Sequence, residues 1–196
     1  MKQITSAGTK VNLKITDSEI SIAKEVKEDI KSIVKKLEKA TKVILDLKDA
    51  IVQQRPSKDD LSNKYRGKFL RYRRKITENF NEFLLAIRAT IEKLAEISDP
   101  DMMRLKEILI AEVGELSDGS EAVLDLLQEP DKEGFTQTLE RISSQIEKRQ
   151  KSIKDVLDSQ LLSHIDQDIL GKLKIGELKF RIRRRARIIK QLARRK

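Results

Sequence analysis

The sequence predicts an all-α protein, an elongated up-down antiparallel bundle of four main long helices followed by a basic C-terminal helix. Three observations carry that expectation. Apolar residues recur at spacings of 3 and 4 through most of the chain, which is the helical period. Helix breakers are scarce, with 7 Gly and 3 Pro in 196 residues. Charged residues make up 38% and aromatic residues only 4%, a balance that suits long amphipathic helices with wide solvated faces.

Residues 1–16 read as a polar N-terminal arm. Val11, Leu13 and Ile15 alternate with polar neighbours, so this stretch is a short strand or an extended arm packed on helices. Residues 17–170 form the helical bundle domain, and its first helix starts after Asp17 or Ser18, either of which can cap the first turn. Its stripe is Ile20, Ala23, Val26, Ile30, Ile33, Leu37, Ala40, Ile44, Leu47 and Ile51. Arg55-Pro56 ends the helix, because the residue before proline resists the helical region.

Ser57 can cap the second helix, expected from about Lys58 to Ile97. Its stripe is Leu61, Tyr65, Phe69, Tyr72, Ile76, Phe80, Phe83, Ile87, Ile91 and Leu94. Its aromatic concentration marks it as the anchor of the core. Ser98-Asp99-Pro100 closes it, with Asp99 capping the third helix and Pro100 in that helix's first turn. The third helix carries Met103, Leu105, Ile108, Leu109, Val113 and Leu116. Asp118-Gly119-Ser120 is expected to interrupt it before a short segment with Val123, Leu124 and Leu127.

After a break at Glu129-Pro130-Asp131, the fourth helix is expected from about Lys132 to Ile169. Its stripe is Phe135, Leu139, Ile142, Ile146, Ile153, Leu157, Leu161 and Ile165. Gly134 falls in its first turn and is expected to weaken that end by about 1 kcal/mol. Short links between such helices force antiparallel neighbours.

Residues 171–196 form the basic C-terminal segment. With helical spacing, Ile175, Leu178, Ile182, Ile189 and Leu192 make a stripe; with period 2, residues 172–182 make a hairpin around Gly176-Glu177. A helix from about Glu177 onward is the favoured reading, because residues 183–196 have no strand pattern.

Charge is distributed unevenly. Residues 171–196 hold 12 Lys or Arg against the single acid Glu177, a net +11, while the other 170 residues net −1. The candidate anion-binding residues there are Lys179, Arg181, Arg183, Arg184, Arg185, Arg187, Lys190, Arg194 and Arg195. A second cluster comprises Lys64, Arg66, Lys68, Arg71, Arg73, Arg74 and Lys75, with no acid between Leu61 and Thr77. Most charge runs are simply solvated helix faces. The 3–4 spacing of the interleaved Tyr65, Phe69 and Tyr72 makes them core residues rather than a nucleic-acid signature. The tail is different. So many cations exceed what a helix C-terminus needs, and Arg over Lys suits bidentate contact with phosphate.

Catalytic signatures are missing. The chain has no Cys, which excludes disulfides, thiolate metal sites and cysteine nucleophiles. No Gly-rich phosphate loop occurs. His164 is the only histidine, and its neighbours Asp166 and Asp168 cannot all share its helical face. Acid pairs such as Glu25/Asp29 and Glu112/Glu115 have no Ser, Cys or His companion in the sequence. No enzyme activity, metal or cofactor is therefore expected. The expected partner is nucleic acid, DNA or RNA, bound through phosphates with little sequence specificity. The alternative is a helical adaptor, assembly or effector module. Its tail would dock an anionic membrane or an acidic protein, with homo-oligomers forming through the helical stripes. A cytoplasmic location is the default expectation.

Overall fold

The computed structural model describes residues 17–54, 56–130 and 133–166. These form an all-helical bundle with no strand among the described residues. The helices are α1 (Asp17–Gln54), α2 (Lys58–Asn63), α3 (Arg66–Ala95), α4 (Pro100–Leu126) and α5 (Phe135–Asp155). A π-helical stretch (Val156–Leu161) and a short α6 (Leu162–His164) prolong α5. The N-terminal arm, the basic C-terminal helix and the hairpin alternative at 172–182 lie outside the described residues.

Around the bundle the order is α1, α3, α4, α5, with α1 and α4 on the diagonal. Cross-helix contacts give the directions. Lys39 meets Glu82 and Lys93 meets Asp29, so α3 runs against α1. Lys154 meets Glu38 while Asp166, further along, meets Lys27, and Arg149 meets Glu112 while Ile146 lies against Gly119, so α5 runs against both α1 and α4. At 1.5 Å per residue the 38-residue α1 extends about 57 Å.

Every apolar residue of the α1 stripe is buried, as is every one of the stripe from Phe135 to Ile165. On α2 and α3 the stripe is also buried, except Tyr72 and Ile91, which are half-buried against it. Beyond Ile153 the stripe repeats at a spacing of 4 through Leu157, Leu161 and Ile165. In an α-helix that spacing leads by about 40° per step. The wider π turns lag instead, so the stripe stays on the bundle axis.

The structure corrects several expectations. Asp17 already lies within α1, so neither it nor Ser18 precedes the first turn. The second helix is not continuous. The chain breaks at Lys64-Tyr65, where the Asp60 carbonyl accepts from the amides of both Lys64 and Tyr65. Ser62, Asn63 and Gly67, all weak helix formers, surround the break. The interruption at Asp118-Gly119-Ser120 does not occur, because α4 runs through it. A Cβ on Gly119 would lie 3.1 Å from Ile146 Cγ1, so this glycine serves the close approach of α5 rather than a turn. Met103 is exposed and Met102 is buried instead, one position from the expected face. Gly134 is not a weak point inside a helix. It precedes α5 with φ +76°, a left-handed conformation that glycine adopts without a steric cost. The other caps match expectation: Ser57 and Asp60 form a capping box on α2, and Asp99 caps α4 ahead of Pro100.

Candidate functional site

The nine tail cations from Lys179 to Arg195 named above lie outside the described residues. The second cluster is described in full, at the end of the bundle where α1 finishes and α5 begins. Phe69 anchors that end. Its ring lies 6.0 Å from Tyr65 and 5.6 Å from Phe135, and all three are buried. The Tyr65 hydroxyl donates to the Gln54 side chain, which ties the last turn of α1 to the start of α3. Tyr65 and Phe69 are thus core residues, as their spacing implies, while Tyr72 is half-buried at the surface.

The cations surround this aromatic anchor. Lys64, Arg66, Lys68, Arg71, Arg74 and Lys75 are exposed, and Arg73 is half-buried. Arg74 pairs with Glu78 at 2.7 Å. No described carboxylate lies within ion-pair distance of the other six. Lys68 Nζ sits 4.8 Å from the centre of the Tyr65 ring, a cation–π contact. The Arg73 Nε is buried and has no hydrogen-bond partner among the described residues. Among the described residues the cluster therefore keeps most of its charge unneutralised.

Two grooves flank it. One, of about 250 Å³, lies between the end of α1 and α3. Leu47, Ala50, Ile51 and Tyr72 line its floor, while Lys68, Arg71 and Lys75 stand at its rim. Sequence reading missed the α1 contribution. The signal was the short link from Arg55 to Tyr65, which folds residues 47–51 back beside 68–72. The other groove, of about 440 Å³, is lined by Arg66, Leu70, Arg73, Leu127 and Pro130.

At the opposite end His164 is partly buried, as a packed histidine would be. Its Nε2 lies 3.0 Å from Asp99 Oδ1, across 65 positions of sequence. Asp166 pairs with Lys27 instead, and Asp168 lies outside the described residues. Donor atoms of Asp99, Asp101 and His164 come within 4.8 Å of one another. The Asp99 carboxylate already accepts from the amides of Asp101 and Met102, so the trio is accounted for as a helix cap braced by a histidine. Burial pulls the Asp99 pKa up. The Met102 amide, His164 and the Asp101 amide together overcome this and hold it below its ordinary value.

The acid pairs noted in the sequence prove to be clamps. Glu25 and Asp29 hold Lys93 at 3.3 and 2.8 Å. Glu112 and Glu115 hold Arg149. Their companions are cations of a neighbouring helix, a structural role. Among the described residues no helix is long and apolar enough to cross a membrane. No family model, curated protein or solved structure matches the chain.

Proposed function

We propose that the protein is a non-catalytic nucleic-acid-binding bundle whose basic C-terminal segment neutralises phosphates with little sequence specificity. The observation that carries this reading is the net +11 of residues 171–196 against −1 for the rest of the chain. Arginine dominates its centre, at Arg181, Arg183, Arg184, Arg185 and Arg187, and its planar fork suits phosphate oxygens. The described helices bury their stripes against one another, which suits a platform role for the bundle. The non-catalytic reading draws on the absence of Cys and on a single histidine engaged with a capping aspartate.

Deleting residues 181–196 tests the proposal. Five or six phosphate contacts give a salt slope of about −4.5 to −5.4 on duplex DNA. The truncated chain should keep its helical circular dichroism and lose most of that slope. Undiminished binding of duplex DNA by a folded truncation overturns the proposal.

A second reading, an adaptor or assembly module, draws on a separate observation. Leu85, Met103 and Ile110 on α3 and α4 are exposed at 72%, 48% and 48%. Concentration-dependent oligomers without salt-dependent DNA or RNA binding would favour it, and binding to anionic vesicles would favour its membrane form.

A further inference from the structure

We infer that the α3 cluster is a second nucleic-acid site, distinct from the tail, that takes a short single strand with one base in the groove beside Tyr72. The inference shares only the ligand class with the reading above. Lys68, Arg71 and Lys75 follow one another on α3 at spacings of 3 and 4, so they line one face, and Lys64 sits in the turn just before that helix. All four are exposed. The seven helical steps from Lys68 to Lys75 extend about 10 Å, and Lys64 continues the cationic track beyond the start of α3. Glu78 and Glu82 follow on the same side of α3, and their pairing with Arg74 and Lys39 marks where the positive run ends. The row is therefore sized for about four phosphates, one per cation.

The groove beside the row supplies what a bare charge run lacks. Its floor is apolar and includes a half-buried aromatic, Tyr72, while three of its rim residues are cations. Its volume of about 250 Å³ falls below the roughly 300–1,000 Å³ of sites for drug-sized ligands. It suits one flat ring. An aromatic face beside a cationic track is the general means of holding unpaired bases. A duplex keeps its bases stacked and paired, so it can offer this groove phosphates only. A membrane leaflet would instead need apolar side chains projecting between the cations. The large exposed apolar residues of α3 are Leu70 and Leu85, and neither belongs to the row. At 100° per residue Leu70 lies on the far flank, beside Arg66 and Arg73.

The test uses the full chain and a short fluorescent oligothymidylate or oligouridylate, titrated between 50 and 200 mM salt. A quadruple variant carries Lys64→Gln, Lys68→Gln, Arg71→Gln and Lys75→Gln. Four contacts at about 0.7 each make the slope about 2.8 shallower in that variant. Over this salt range that removes about 50-fold of the salt-driven loss of affinity. If the quadruple variant does not fold, the double variant Arg71→Gln/Lys75→Gln gives half the change in slope. Tyr72→Leu keeps an apolar side chain on the core. It should weaken single-strand binding by about 5- to 150-fold, leave the salt slope alone and spare duplex binding. A folded variant with the wild-type slope on both oligonucleotides overturns the inference. So does a quadruple variant that loses only its binding to phosphatidylserine vesicles. The tail reading fails independently: if deletion of 181–196 changes nothing while the quadruple variant flattens the slope, the α3 site stands and the tail proposal falls.

Discussion

At the end of the bundle that carries the α3–α4 turn, charges meet their opposites across helices. Lys93 sits between Glu25 and Asp29, Lys27 meets Asp166, and Asp99 takes His164 as well as two backbone amides. At the other end, where Phe69 meets Phe135, six cations of one short stretch have no described carboxylate within reach. Both ends are built on α3, and both have acids available a few turns away. The difference teaches that pairing follows helix neighbours. An acid pair on α1 faces Lys93, while the cluster at 64–75 faces apolar Leu47, Ala50 and Ile51. Charge at the first end bridges neighbouring helices, and charge at the second meets no described carboxylate except at Arg74.

That comparison fails if the basic end is merely loose, so its packing is the first thing to break. Phe69→Ala should cost about 3–5 kcal/mol, because the side chain is 2% exposed and touches both Tyr65 and Phe135. Urea denaturation measures it, and a loss under 1 kcal/mol would mean that this end is frayed. Gly134→Ala is the next largest effect at the same end. Its left-handed φ of +76° disfavours a side chain by about 1–2 kcal/mol. An unchanged midpoint would show that the backbone there relaxes freely.

The paired end is probed by Asp99→Ala. Losing the cap should cost about 1 kcal/mol at neutral pH. The sign of its pH dependence follows from the lowered pKa. A carboxylate held below its ordinary value of about 3.9 contributes fully above that value, and the contribution fades as pH falls through the lowered one. The wild-type protein and the variant should therefore differ at neutral pH and converge in acid, below about pH 4. A gap that persists or widens in acid would assign the effect to packing rather than to the charged cap.

The helical stripes were legible because burial on a helix imposes the 3–4 period, and α1 and α5 obey it at each stripe residue. Pro56 and Pro100 marked boundaries for steric reasons that need no partner. Glycine was less legible. Gly119 and Gly134 look alike in sequence, yet one lets α5 approach and the other turns the chain. That distinction depends on a residue far away or on a single dihedral angle. The basic cluster was visible as charge, but its groove was not, because three of the four residues on its floor come from α1. The His164–Asp99 contact was hidden for the same reason.

The smallest effect is also the most direct test of the comparison, because the two ends should respond with opposite sign. Lys93 is partly exposed, and its pKa is raised chiefly by the hydrogen bond from its ammonium to Asp29. Solvent screening limits what this pair can contribute, so Lys93→Gln should lower stability by less than about 1 kcal/mol. A lysine with a raised pKa contributes below its ordinary value of about 10.4, and that contribution is lost only at higher pH. Lys75 stands one turn from Arg71 on an exposed face, with no described acid in reach. Like charges at that spacing oppose the helix by a few tenths of a kcal/mol. Lys75→Gln should therefore raise the melting midpoint slightly. Both shifts should shrink as salt is added, because exposed charges are screened. If both substitutions lower stability, the cluster has partners within the protein, and charge at the two ends serves the same purpose. If Lys75→Gln stabilises the fold while weakening single-strand binding, the chain keeps an unfavourable charge where a ligand is its partner.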